Sequence, residues 1–199
     1  MDLTGVRGRN PVEVTTQRRE AAVIAPVVSR EDGLALLFTK RADHLGEHPG
    51  QMSFPGGGRE PEDASLRETA LREANEEIGL RPHEADVHGC LDDIDTVTDY
   101  AVRPFVASIP DRDYVPDDTE VAEISVLQVS ALTDADNYEA AFYERSEQAQ
   151  YRLHFFRVDG YTVWGATGRM LVQLLELTTD WQPSTEVDRT IDSEDDLPG

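Results

Sequence analysis

The sequence predicts a single α/β domain, and three observations carry that expectation. Apolar, strand-like runs at Ala21–Val28, Leu34–Thr39, Ala101–Ile109 and Val121–Val129 are separated by turn residues. A helix with clear start and stop signals lies between them, over roughly residues 63–78. A second amphipathic helix, opened by Trp164-Gly165-Ala166-Thr167 and carrying Met170, Leu171, Leu174 and Leu175, follows them. A chain of 199 residues is long enough for one core.

In chain order, residues 1–20 are polar, with Gly5, Gly8 and Pro11, and read as a weakly ordered arm or edge segment ahead of a domain over 21–182. The first two strands meet at the turn Glu31-Asp32-Gly33. Residues 41–53 are too polar and too rich in Gly and Pro for a core element. Asp63 or Ser65 can cap the first helix, Ser65-Leu66-Arg67-Glu68 fits a capping box, and Gly79 suits a left-handed C-terminal cap with Pro82 shortly after. Its apolar stripe is Leu66, Ala70, Leu71, Ala74 and Ile78. A strand over Asp86–Leu91 precedes the polar loop Asp92–Tyr100, read as solvated. Residues 135–150 are polar with helical propensity. Asp159-Gly160 between Tyr151–Arg157 and Tyr161–Trp164 is a hairpin signal. The acidic segment 183–199 reads as a tail without structure.

The last turn of the first helix breaks a local rule. Glu73, Glu76 and Glu77 fall on one arc, where like charges repel and where the partial negative charge of a helix C-terminus already disfavours carboxylates. Only Arg72 lies close by in sequence. A divalent cation is the simplest compensation, and hard oxygen donors suit Mg²⁺ or Mn²⁺ rather than zinc. A solvated acidic face is the alternative. Ahead of the helix, Gly56-Gly57-Gly58 supplies unencumbered backbone N–H groups of the kind that cradle phosphates, although neither a Walker loop nor a dinucleotide fingerprint is present.

Together these residues resemble the Nudix box, Gly-x5-Glu-x7-Arg-Glu-apolar-x-Glu-Glu-x-Gly-apolar. Its second half is complete at Arg72, Glu73, Ala74, Glu76, Glu77, Gly79 and Leu80. In the first half, counted from Gly57, Asp63 stands for Glu and eight residues rather than seven separate it from Arg72. That departure is similar to the coenzyme A pyrophosphatase branch. Arg41, Leu45, His48-Pro49-Gly50-Gln51 and Phe54-Pro55-Gly56-Gly57 resemble the same branch, with Gly46 where it often has a second Arg, as does the run from Tyr151 to Thr167.

The resemblance implies an α/β/α sandwich with a mixed sheet between helices and a metal-dependent pyrophosphohydrolase. It implies Glu73, Glu76 and Glu77 as ligands of Mg²⁺ or Mn²⁺, and Arg72 as the residue orienting them. Glu76 or Glu120 would serve as base, with Glu123 the second downstream candidate. Arg41 and Gly56–Gly58 would meet a small nucleotide substrate. Arg41 as a surface ion pair and His48 as a loop cap are the structural alternatives. The implied substrate is coenzyme A or a derivative, cut to 3′,5′-ADP and 4′-phosphopantetheine. ADP-ribose, dinucleotides or oxidised nucleotides are the alternative, and a non-catalytic nucleotide-binding module the second.

Composition narrows the partners. The net charge is −22, from 40 acidic against 18 basic residues, and Lys40 is the only lysine. Such a surface repels nucleic-acid backbones and anionic membranes. It is similar to that of halophile proteins. One cysteine, Cys90, no membrane-length apolar run and no signal-peptide core fit a cytoplasmic protein. Oligomeric state stays open, a homodimer included.

Overall fold

The computed structural model describes residues 1–44, 50–146, 149–192 and 197–198. Leu45, Gly46, His48 and Pro49 lie outside the described residues.

A mixed eight-stranded sheet is built around β1 (Arg19–Arg30). Its run AAVIAPVV is buried almost throughout, as a central strand covered on both faces requires. β1 pairs antiparallel with β2 (Gly33–Arg41) and β4 (Gly56–Gly58) along one side, and parallel with β7 (Tyr100–Ile109) along the other. Pro26 is tolerated in this central strand for a local reason. The Ile24 N–H is directed at the Pro55 carbonyl, and alternation puts the Pro26 nitrogen on the same side, in the gap where β1 changes partner from β4 to β2. β3 (Met52–Ser53) and β8 (Val121–Gln128) pair with β2, and β5 (Asp86–Cys90) and β6 (Ile94–Asp95) pair with β7. Residues 41–53, expected to hold no core element, therefore contribute β3, with Met52 buried.

Side-chain alternation sends each strand's apolar residues to two cores. Ala22, Ile24, Val28 and Leu37 pack under α1 (Leu66–Ile78) with Ala70, Leu71, Ala74 and Ile78. Ala25, Val27, Leu36 and Phe38 face the other way, against Met170, Leu171, Leu174 and Leu175 of α3 (Gly165–Thr178). A four-residue helix, α2 (Val129–Leu132), follows β8. The helix–sheet–helix sandwich is thus present.

A second sheet of four strands runs β11 (Tyr161–Val163), β10 (Ala149–Val158), β9 (Tyr138–Ser146) and β12 (Arg189–Asp192). The β10–β11 turn has positive φ at both Asp159 (52°) and Gly160 (84°), as a tight two-residue hairpin demands. β9 corrects the helical expectation for residues 135–150. Its Ala and Glu favour helix locally, but the strand is paired on both sides, and Glu139 bridges Arg157 of β10 and Arg189 of β12. β12 also corrects the expectation for 183–199, since Ile191 is buried.

The N-terminal arm is fastened rather than loose. Val6 is fully buried, and the N–H groups of Val12 and Val14 donate to Asp92 and Asp93 at 2.7 and 3.0 Å. Arg9 makes a two-pronged pair with Asp92 at 2.7 and 2.8 Å. The acids of the 92–100 loop, read as solvated, are engaged in holding this arm and Arg103.

Candidate active site

The site is built where α1 crosses β4. Ser65 caps the helix, its hydroxyl accepting from the Glu68 N–H at 3.2 Å. Gly79 closes the helix in the left-handed conformation (φ 66°), donating to the Asn75 carbonyl, while the Leu80 N–H reaches Ala74. Further carbonyls at this end are met from the segment after β7: Asp117 N–H donates to Glu77 at 2.8 Å and Arg112 Nη2 to Gly79 at 2.9 Å. Arg112 also brings the positive charge that the last turn of α1 lacks.

Gly56, Gly57 and Gly58 correct one reading: they form strand β4, not an open phosphate-cradling loop. Their missing side chains let sheet and helix approach. A Cβ on Gly57 would stand 2.5 Å from the Glu73 carboxyl carbon, and one on Gly56 (φ 157°) 2.3 Å from the Ala22 carbonyl oxygen. The Gly56 N–H donates to Glu77 Oε2 at 3.1 Å.

Arg72 organises the other carboxylates. Its Nε and Nη2 each donate to Asp63 at 3.1 Å, Nη2 also to the Gly58 carbonyl at 3.0 Å, and Nη1 lies 3.0 Å from both Glu73 and Glu76. Asp63 is almost fully buried and accepts two further hydrogen bonds, from the Glu60 N–H and the Thr69 hydroxyl, both at 2.9 Å. Arg72 and these partners hold the Asp63 carboxyl well below the usual carboxylate range. Asp63 is therefore the anchor of Arg72 and not the helix cap. The signal was its offset from Ser65: with the serine capping, the acid is left for the arginine two and a half turns on.

Glu77 is strongly perturbed in the opposite direction to Asp63. Burial pushes its carboxyl up to about 8, with the charges of Glu73 and Glu120 adding to the rise and the Gly56 N–H and Arg41 opposing it. Burial also raises Glu73, with Arg72 opposing. Glu76 is more exposed than either. Arg41, on the α1 side of β2, thus acts electrostatically on Glu77. Its main-chain N–H donates to the Gln51 carbonyl at 3.0 Å. Glu120 is exposed, and its carbonyl accepts from the Ala42 N–H at 2.9 Å. Its charge is felt at both Glu73 and Glu77. Glu123, the second downstream candidate, lies elsewhere: its carboxylate accepts a hydrogen bond from the Tyr161 hydroxyl, between the two sheets.

The three box glutamates do not converge in this arrangement. Among the described residues, no group of three or more His, Cys, Asp or Glu side chains is close enough to hold a metal ion. Arg72 draws Glu73 and Glu76 to one side while Glu77 faces Gly56. The donor chemistry nevertheless fits a divalent cation. The charge of Glu120 raises the proton affinity of both Glu73 and Glu77, that of Glu73 adds to the rise at Glu77, and a hard cation would relieve that repulsion.

An α/β/α sandwich carrying a carboxylate-rich helix against a glycine strand defines the class of protein. The NUDIX domain model matches residues 18–155. Nudix hydrolase NudL of Enterobacter sp. strain 638 is 39% identical over 158 residues, covering 79% of this chain and 81% of its own. NudL of Citrobacter koseri is 37% identical over 162 residues, covering 80% and 83%. A Nudix hydrolase crystal structure from Nitrosomonas europaea shares the fold, with a TM-score of 0.54 over 90% of this chain and 82% of that one at 16% identity. The chain belongs to the Nudix family. It is a Nudix hydrolase, a pyrophosphohydrolase acting on nucleoside diphosphate derivatives, and enzymes of this family generally use divalent cations. Among the described residues no helix is long and apolar enough to cross a membrane.

Proposed function

We propose that the protein hydrolyses the diphosphate of coenzyme A or its derivatives, releasing 3′,5′-ADP and 4′-phosphopantetheine, with Mg²⁺ or Mn²⁺ held by Glu73, Glu76 and Glu77. The observation that carries the substrate assignment is the run Arg41, Gln51 and Phe54-Pro55-Gly56-Gly57, which resembles the coenzyme A pyrophosphatase branch. Its geometry is consistent with one working unit: Arg41 joins Gln51 through the main chain, Phe54 stacks on Phe38 at 4.8 Å, and Gly56 meets Glu77.

A divalent cation bound there supplies charge neutralisation for the diphosphate and lowers the cost of generating hydroxide from water. The chain's own residues do the rest. Arg72, braced by Asp63, orients Glu73 and Glu76. Arg41 offers a planar guanidinium to a phosphate oxygen from the Glu77 side. Glu120 and Glu76 are the exposed carboxylates able to accept the proton of the attacking water, and Glu120 is the one whose field reaches both buried glutamates. In a chain of charge −22, cations between protein and the substrate's diphosphate lessen their mutual repulsion.

The test is a product assay with coenzyme A and, separately, ADP-ribose, with and without Mn²⁺ or Mg²⁺. Metal-dependent release of 3′,5′-ADP is expected. Intact coenzyme A beside efficient cleavage of ADP-ribose would overturn the substrate assignment.

A further inference from the structure

Beside the site, at the end of β4 away from Glu77, the surface opens into a groove of about 520 Å³. Its lining departs from the rest of the chain. Arg18, Arg19 and Arg59 face it, in a protein whose acids outnumber its bases by 40 to 18. Arg59 is paired with Glu20 at 2.7 Å and Arg18 lies 3.8 Å from Asp99. Arg19 is different. Its guanidinium sits over the Tyr100 ring, 4.8 Å from the centroid, and among the described residues no carboxylate pairs with it. Its fork of N–H donors is held in place by an aromatic face and remains available to an anion. The Tyr100 ring in turn lies against Gly58, where an added Cβ would be 3.7 Å from it.

Gly58 ties this groove to the reacting centre. Its carbonyl accepts from Arg72 Nη2 at 3.0 Å, and two residues earlier Gly56 donates to Glu77. Two residues of strand span about 7 Å. One ribose separates a 5′-diphosphate from a phosphate on the same sugar by a similar length.

We propose that this groove is the subsite for the 3′-phosphate of the substrate's nucleotide half, with Arg19 as its principal ligand, Arg59 beside it, and Tyr100 as the wall that fixes Arg19. The assignment rests on the coenzyme A reading and adds to it a specificity-determining residue. Glu20 and Glu60 also line the groove and disfavour an extended polyanion, so the groove suits one phosphomonoester better than a nucleic-acid backbone.

The experiment is calorimetric titration of the full-length protein in EDTA with 3′,5′-ADP and with 5′-AMP, which differ only in the 3′-phosphate. Wild type should bind 3′,5′-ADP at least about tenfold more tightly, as a charge-assisted phosphate contact supplies. In Arg19→Gln that ratio should fall towards one, Arg19→Lys should restore part of it, and Arg59→Gln should lower it. Arg169→Gln, an arginine paired instead with Asp95, should keep it. Thermal melts of each variant separate misfolding from lost binding. Equal binding of the two nucleotides by wild type, including no binding of either, overturns the subsite, as does an unchanged ratio in Arg19→Gln. Turnover distinguishes the two levels: failure to cleave coenzyme A sinks the substrate assignment, while the titration still decides the groove.

Discussion

Asp63→Asn is the substitution for which the structure gives the most definite magnitude. The carboxylate receives four hydrogen bonds: Arg72 Nε on one oxygen, and Arg72 Nη2, the Thr69 hydroxyl and the Glu60 N–H on the other. All four partners are donors. An amide of the same shape must turn its NH₂ toward at least one of them, and it removes the counter-charge of a partly buried guanidinium. Losing one charge-assisted hydrogen bond costs about 1.5–3 kcal/mol, and breaking a buried pair costs about 3–5 kcal/mol. Arg72 retains Glu73 and Glu76, which offsets part of the second figure, so a loss of about 2–4 kcal/mol is expected. The assay is urea unfolding in EDTA at pH 7. With a slope of about 2 kcal/mol per M, the midpoint should fall by about 1–2 M at constant slope. Turnover should fall as well, because Arg72 then positions Glu73 and Glu76 less firmly. A midpoint within about 0.25 M of wild type would refute the view that Asp63 anchors this network. Because Arg72 depresses the Asp63 pKa, the stabilisation is present above the ordinary carboxylate range and is lost as pH falls below it.

Further predictions follow from single contacts. Gly57→Ala should lower turnover by about a hundredfold with little change in melting temperature, because the atoms nearest the new methyl belong to the movable Glu73 carboxylate. Gly56→Ala should instead destabilise the fold, since its methyl meets the Ala22 and Val23 backbone at a φ of 157°. Metal-free Glu77→Gln should melt no lower than wild type at pH 7 and higher above pH 8. A carboxyl raised to about 8 stabilises the fold most below its unfolded pKa and progressively less as pH rises through the folded value, and Gln removes that dependence. His154, pushed down to about 4 chiefly by burial, is neutral in the fold, with its Nδ1 2.7 Å from the Tyr138 hydroxyl oxygen. Stability should therefore be full above pH 6.5 and fall by about 1–3 kcal/mol as pH drops toward 4, a slope that His154→Gln should flatten in chemical denaturation.

What was legible in the sequence is what local chemistry decides. Ser65 and Gly79 mark the ends of α1 because capping is settled within four residues, and Asp159-Gly160 marks its hairpin for the same reason. What was not legible depends on distant partners. The N-terminal arm looked loose because the acids that hold it, Asp92 and Asp93, come about 80 residues later. Residues 138–146 looked helical because their cross-strand partners, Arg157 and Arg189, lie on other strands. Three consecutive glycines carry no side-chain pattern from which a strand could be read. In the site, the order of Glu73, Glu76 and Glu77 along a helix was readable, but not that Arg72 would gather two of them, nor that β8 would turn Glu123 toward Tyr161 while Glu120 stays near Glu77.

The most direct test of the central claim, that carboxylates on α1 hold the cation that makes this a diphosphate hydrolase, is Mn²⁺ binding by electron paramagnetic resonance with coenzyme A turnover measured in the same samples. Wild type should bind Mn²⁺ and release 3′,5′-ADP in proportion to occupancy. Glu73→Gln/Glu77→Gln should lose both while melting, metal-free at pH 7, no lower than wild type. Undiminished Mn²⁺ binding or turnover in that folded variant would contradict the account.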